Sequence, residues 1–87
     1  MIKYKHKELL QHMLGADERY KKKQWGFRNH FCSNKGNKYH EELLKMQGLG
    51  LVKSGIQLNY TVFWATKEGA KAIGFKAYQI RNTDFPS

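Results

Sequence analysis

At 87 residues, with 40% apolar and 14% aromatic side chains, the chain has material for one small folded domain and is too aromatic for a disordered one. Sixteen Lys and Arg against seven Asp and Glu leave a formal charge of +9, which makes a polyanion the expected partner. No apolar run approaches the roughly 20 residues of a membrane span, the Met1–Lys7 segment does not read as a secretory signal, and Cys32 has no internal disulfide partner, so a reducing cytoplasm is the expected location.

A first helix is predicted from Ile2 to Leu14, where Ile2, His6, Leu9, Leu10, Met13 and Leu14 recur at helical spacing with lysines between them. Gly15 stands where a left-handed residue would end it. Lys3, Lys5 and Lys7 read as a solvated flank, with phosphate contact as the alternative. Ala16–Asn37 carries no comparable stripe. Trp25, Phe27 and Phe31 are scattered among turn formers, which predicts a short strand near Trp25–Phe31 or an irregular loop pinned by its aromatics.

A second helix follows, with Asn37 as N-cap and Glu41 and Glu42 at its positive end. Tyr39, Leu43 and Met46 form its stripe, and Gly48 stops it. Leu49–Ser54 and Tyr60–Ala65 are the arms of a hairpin whose turn falls within Gly55–Asn59. Thr66 caps a last short helix ending at Gly74. The tail from Phe75 to Ile80 alternates weakly, as an edge strand or a segment laid over the core would. These elements make one α+β domain, with helices packed on a two- or three-stranded antiparallel sheet. Its parts are an N-terminal helix (1–15), a basic aromatic segment (16–37), a helix–hairpin–helix unit (38–74) and a tail (75–87). Leu10, Leu43, Val62 and Trp64 are expected in the core, with Tyr39 beside them.

From Arg19 to His40 there are seven Lys or Arg and no acid. Lys and Arg displace condensed counterions from phosphates, and interleaved aromatics stack on bases or anchor the loop. Arg19, Lys21, Lys22, Lys23, Arg28, Lys35 and Lys38 are therefore the expected anion-binding surface. The alternative is a solvated loop on a protein that is basic throughout.

The run Glu41-Glu-Leu-Leu-Lys-Met-Gln-Gly-Leu-Gly-Leu-Val-Lys53, followed by Val62-Phe-Trp-Ala-Thr-Lys-Glu-Gly-Ala-Lys-Ala-Ile73, resembles the winged helix-turn-helix family, in particular its MarR-like branch, over residues 39–73. The resemblance implies a small winged-helix-like domain, with the second helix as recognition helix and the hairpin as wing. It puts Lys38, Tyr39, His40 and Glu42 where base edges would be read, adds Lys45 from the same helix, and sets Lys53 on the wing against phosphate or the minor groove. Ala16–Asn37 offers no apolar stripe for the helix that precedes a recognition helix in that family. The whole chain, with Arg28-Asn-His-Phe31 ahead of the helix and hairpin, also looks like small uncharacterised phage and prophage proteins.

His6, His12, His30, His40 and Cys32 lack the spacing of metal ligands, His30 and Cys32 being the one close pair. Asp17/Glu18 and Glu41/Glu42 are sequence neighbours, which do not face one site on a helix. Neither a phosphate-binding glycine loop nor a nucleophile motif occurs. No enzyme, metal or cofactor is expected. Two functions remain: a small nucleic-acid-binding protein with duplex DNA as its partner, or a phage-encoded inhibitor or adaptor whose basic surface meets an acidic host protein in the host cytoplasm.

Overall fold

His6, Leu9, Leu10, Met13 and Leu14 share one face of a helix, and burying that face organises the domain. The computed structural model describes residues 2–34, 36–57 and 59–86. Its elements are α1 (Tyr4–Leu14), a 3-10 helix (Lys22–Gln24), β1 (Phe31–Ser33), α2 (His40–Gly48), β2 (Val52–Gln57), β3 (Tyr60–Ala65), α3 (Lys67–Ala72) and α4 (Ala77–Arg81). The domain is α+β, with helices on a three-stranded antiparallel sheet of order β1-β3-β2. Gly15 ends α1 in the left-handed conformation, and Ala16 N donates to Gln11 O at 2.8 Å. Thr66 caps α3 as expected, its hydroxyl accepting from Gly69 N at 3.0 Å.

The core lies between the sheet and α1, α2 and α3. Leu9, Leu10, Met13 and Leu14 meet Leu43 and Met46 of α2, Val52, Phe63 and Ala65 of the sheet, Ala70 of α3, and Phe75. Leu10 and Leu43 are buried as expected. Val62 and Trp64 are not: they are half-buried on the opposite face of β3. A strand that buries Phe63 and Ala65 must turn Val62 and Trp64 away. Four apolar residues in a row, Val62 to Ala65, hide the alternation that would have given the register.

Tyr39 is also outside the core, 38% exposed. It precedes the first turn of α2 and so misses the Leu43–Met46 face; its ring meets Phe31 edge-on at 6.0 Å. Asn37 sits too early to be the N-cap, a position held by Tyr39. Instead Asn37 Oδ1 accepts from Tyr39 N at 2.8 Å, an Asx turn leading into the helix. In place of a strand at Trp25–Phe31, the 3-10 helix and an irregular loop come first and the strand begins at Phe31.

The first arm of the hairpin lies three residues later than the expected Leu49–Ser54. β2 starts at Val52 and runs to Gln57, which pairs with Tyr60. Of the expected turn, Leu58 lies outside the described residues. The tail makes a helix rather than an edge strand: Phe75 enters the core and Gln79 is buried too, while Ala77 between them is exposed, which the alternation of a strand would not give. Among the described residues no helix is long and apolar enough to cross a membrane.

Candidate nucleic-acid interface

The basic segment is a loop with a fixed shape. Trp25 Nε1 donates to Asp17 O at 3.3 Å and Tyr20 O at 3.2 Å, drawing the loop around the indole. The indole stacks on Phe75 at 6.3 Å, and Tyr20 lies 4.8 Å from Phe27. Gly26 N donates to Leu14 O at 2.8 Å, tying the loop to the end of α1. Only glycine suits position 26: φ is 93°, and a Cβ there would overlap the Thr83 hydroxyl. From the other side, Gln79 Nε2 donates to Lys22 O at 3.1 Å, while Gln79 Oε1 accepts from Lys76 N at 2.7 Å.

These anchors hold the backbone of Lys21, Lys22 and Lys23, three consecutive and exposed residues. Among the described residues none of the three has a carboxylate within 4.0 Å, and Lys22 Nζ lies 6.0 Å from the Trp25 ring centre. The Gln79 bridge sets α4 against the 3-10 helix and so brings Lys76 and Arg81 to this end of the molecule. Neither was singled out in the sequence; the helical spacing of Phe75, Gln79 and Ile80 is the signal that would have found them.

The other expected contacts behave differently. Arg19 forks onto Asp17, with Nε–Oδ1 at 3.1 Å and Nη2–Oδ2 at 2.8 Å. That hydrogen bond, foremost, holds the Asp17 carboxyl below its usual range and raises Arg19, so this cation is locally compensated. Arg28 is half-buried; its Nη2 donates to His30 O at 3.4 Å, and its Nε is buried with no partner among the described residues. Lys35 lies outside the described residues. Lys38 Nζ sits over the Tyr39 ring at 4.9 Å.

Helix α2 is poorly equipped to meet phosphate. His40 turns inward, its Nδ1 sharing a hydrogen bond with Ser33 Oγ at 3.2 Å and its ring edge-on to Phe63 at 5.8 Å. Lys45 Nζ is 3.3 Å from Glu42 Oε1. Glu42 also accepts from Nε2 of the buried His6 at 2.9 Å; that bond, then Lys45 and the nearby charge of Lys5, hold its carboxyl below the usual range. Glu41 is exposed in the same first turn. The groove of about 640 Å³ between α1 and α2 carries Glu8, Asp17 and Glu42 as well as Lys5 and Lys38. Its charge is mixed, unlike that of the loop. Lys53 stands apart on β2, paired across the strands with Trp64.

The structure thus gathers Arg19, Lys21–Lys23 and Arg28 on one loop, leaves Lys38 in the turn before α2 and His40 and Lys45 on α2, and sets Lys53 on β2. Among the described residues, no three His, Cys, Asp or Glu side chains come together as metal ligands. Comparison of the chain with protein-family models, with curated proteins and with solved structures finds no match in any of the three.

Proposed function

We propose that the protein binds nucleic acid, with duplex DNA as a partner, through phosphate contacts made by Lys21, Lys22 and Lys23 and extended by Lys76 and Arg81. The observation that carries this reading is a loop tied by hydrogen bonds at Trp25, Gly26 and Lys22 that presents three consecutive, exposed lysines with no carboxylate within 4.0 Å among the described residues. A backbone already tied in place lowers the ordering cost of each phosphate contact. Base-edge reading by α2 has less support, since its first turn carries two glutamates and His40 faces inward. The proposed binding is accordingly of low sequence specificity, because phosphate contacts position and base contacts specify.

The test is a titration of labelled duplex DNA across salt concentrations from about 50 to 200 mM. Every phosphate left unneutralised should lower the log–log salt slope by about 0.9, so Lys21, Lys22 and Lys23 changed together to Ala should lower it by about 2.7. An unchanged slope in a folded triple variant refutes the site. The second reading, an inhibitor or adaptor for an acidic host protein, draws on the exposed apolar side chains Leu44, Leu49 and Ile56, the last 82% exposed. Absence of any DNA binding at low salt would favour it.

A further inference from the structure

The outer face of the sheet, turned away from the core, carries an arrangement that the basic loop does not explain. Strand register places Lys53 opposite Trp64, Gly55 opposite Val62 with Cys32 beyond it, and Gln57 opposite Tyr60. None of these seven residues is acidic. Tyr60, Val62 and Trp64 remain half-buried rather than covered, and Cys32, Lys53 and Gln57 are exposed. The six-membered ring of Trp64 lies over Gly55, where a Cβ would stand 3.2 Å from its Cη2. Its Nε1 donates to Pro86 O at 3.0 Å, which fixes the indole in place. Beside Tyr60 a hollow of about 310 Å³ is lined by Cys32, Ser33, Asn34, Asn37 and Tyr60.

Rings held on a sheet face are stacking platforms for bases, and side-chain amides at a hollow supply donors and acceptors for a base edge. The geometry points to the outer sheet face as a site for single-stranded nucleic acid. Bases stack on Trp64 and Tyr60, one base enters the hollow at Asn34 and Asn37, and Lys53 meets the backbone. The strand is single because a duplex keeps its base faces stacked on one another. The absence of acids among these seven strand residues, Lys53 beside Trp64 and a net charge of +9 favour a polyanion over an apolar segment as the occupant. The inference rests on the nucleic-acid reading above and adds to it a second surface and a strand form.

Cys32 is the chain's only cysteine, is exposed, and pairs with Val62 at the middle of the β1–β3 ladder, so it reports on this face in the unaltered protein. A thymidine or uridine oligomer of about 20 nucleotides should slow alkylation of Cys32 by N-ethylmaleimide, whereas duplex DNA bound at the loop should not. Tyr60→Ala should weaken oligomer binding by about tenfold, as removal of one stacking platform does, and leave duplex affinity unchanged. Should Tyr60→Ala lower the melting temperature, Tyr60→Phe and Lys53→Glu carry the test: the first keeps oligomer affinity and the second abolishes it. Oligomer binding with no protection of Cys32 and no effect of Lys53→Glu overturns the inference and leaves duplex binding at the loop standing. Protection by polyglutamate but not by either oligomer assigns the face to an acidic protein and overturns it as well. If neither duplex nor oligomer binds at low salt, both readings fail together.

Discussion

Adjacent residues of β3 should differ sharply in what their truncation costs. Phe63 is fully buried on the central strand, against His40 and the α1 face, whereas Val62 is half-buried on the other side of the sheet. Phe63→Ala removes a whole ring from a filled site and should cost about 4 kcal/mol. Val62→Ala removes two methylene equivalents, worth about 1.6 kcal/mol if fully buried, so about half that here, with a few tenths more for β-propensity. A domain of this size holds about 4–13 kcal/mol in total, so Phe63→Ala should remove from about a third to all of that stability while Val62→Ala stays folded. At about 4–8 °C per kcal/mol, Val62→Ala should melt within about 9 °C of the parent. Phe63→Leu, which keeps the site apolar and mostly filled, should cost about 1–1.5 kcal/mol, well short of the Phe63→Ala cost. Urea unfolding followed by far-ultraviolet circular dichroism measures all three. A larger destabilisation by Val62→Ala than by Phe63→Ala would mean that the strand faces the other way, and the outer face inferred from its register would fall with it.

Leu43→Ala, in the α2 face that meets α1, should cost about 2–4 kcal/mol by the same urea assay. Asn29→Ala should cost about 2–3 kcal/mol, because its side-chain amide accepts from Ala65 N at 2.7 Å and donates to Ala65 O and Asp84 O, and truncation leaves buried backbone groups of Ala65 without partners. Faster amide exchange at Ala65 is the local readout. Glu42 is held below its ordinary value by His6, Lys45 and Lys5, so it binds protons more weakly folded than unfolded. Its contribution is present above its unfolded value and is lost as pH falls through its depressed folded value. The gap in melting temperature between the parent and Glu42→Gln should therefore shrink from about pH 5 to pH 3, and a constant gap would refute the assignment.

Much of the fold was legible because its signals are local. The stripe of α1, its glycine stop, the Thr66 cap and the strand Tyr60–Ala65 each follow from a few neighbouring residues, and each stands where expected. What was not legible depends on distant partners. The register of β3 is set by which face α1 covers, and four consecutive apolar residues carry no trace of it. Asn29 extends the edge pairing of Ala65 from 36 residues away, which no local pattern announces. The tail's helix is short, and its buried Gln79 looks like a surface residue until Lys22 O, 57 residues earlier, is seen to accept from it. The basic loop was visible as composition, but its division into compensated and uncompensated charge was not. Arg19 and Asp17 are two residues apart, and only the turn between them makes the fork.

That division decides what the charges can do. Cations paired with a carboxylate, Arg19 with Asp17 and Lys45 with Glu42, are locally compensated and have little field left for a partner, and such exposed pairs add little to stability. Lys21, Lys22 and Lys23 do the reverse. Three adjacent like charges repel, so they add nothing to folding where they stand. The loop is kept in shape by neutral contacts instead: the Trp25 indole on two carbonyls, Gly26 on Leu14, and Gln79 on Lys22. A scaffold built from neutral hydrogen bonds and aromatic packing keeps its geometry when the lysines are removed and when salt screens them. Binding at the loop should therefore vary steeply with ionic strength while stability does not, and a parallel fall in both would show that the charges hold the loop itself together.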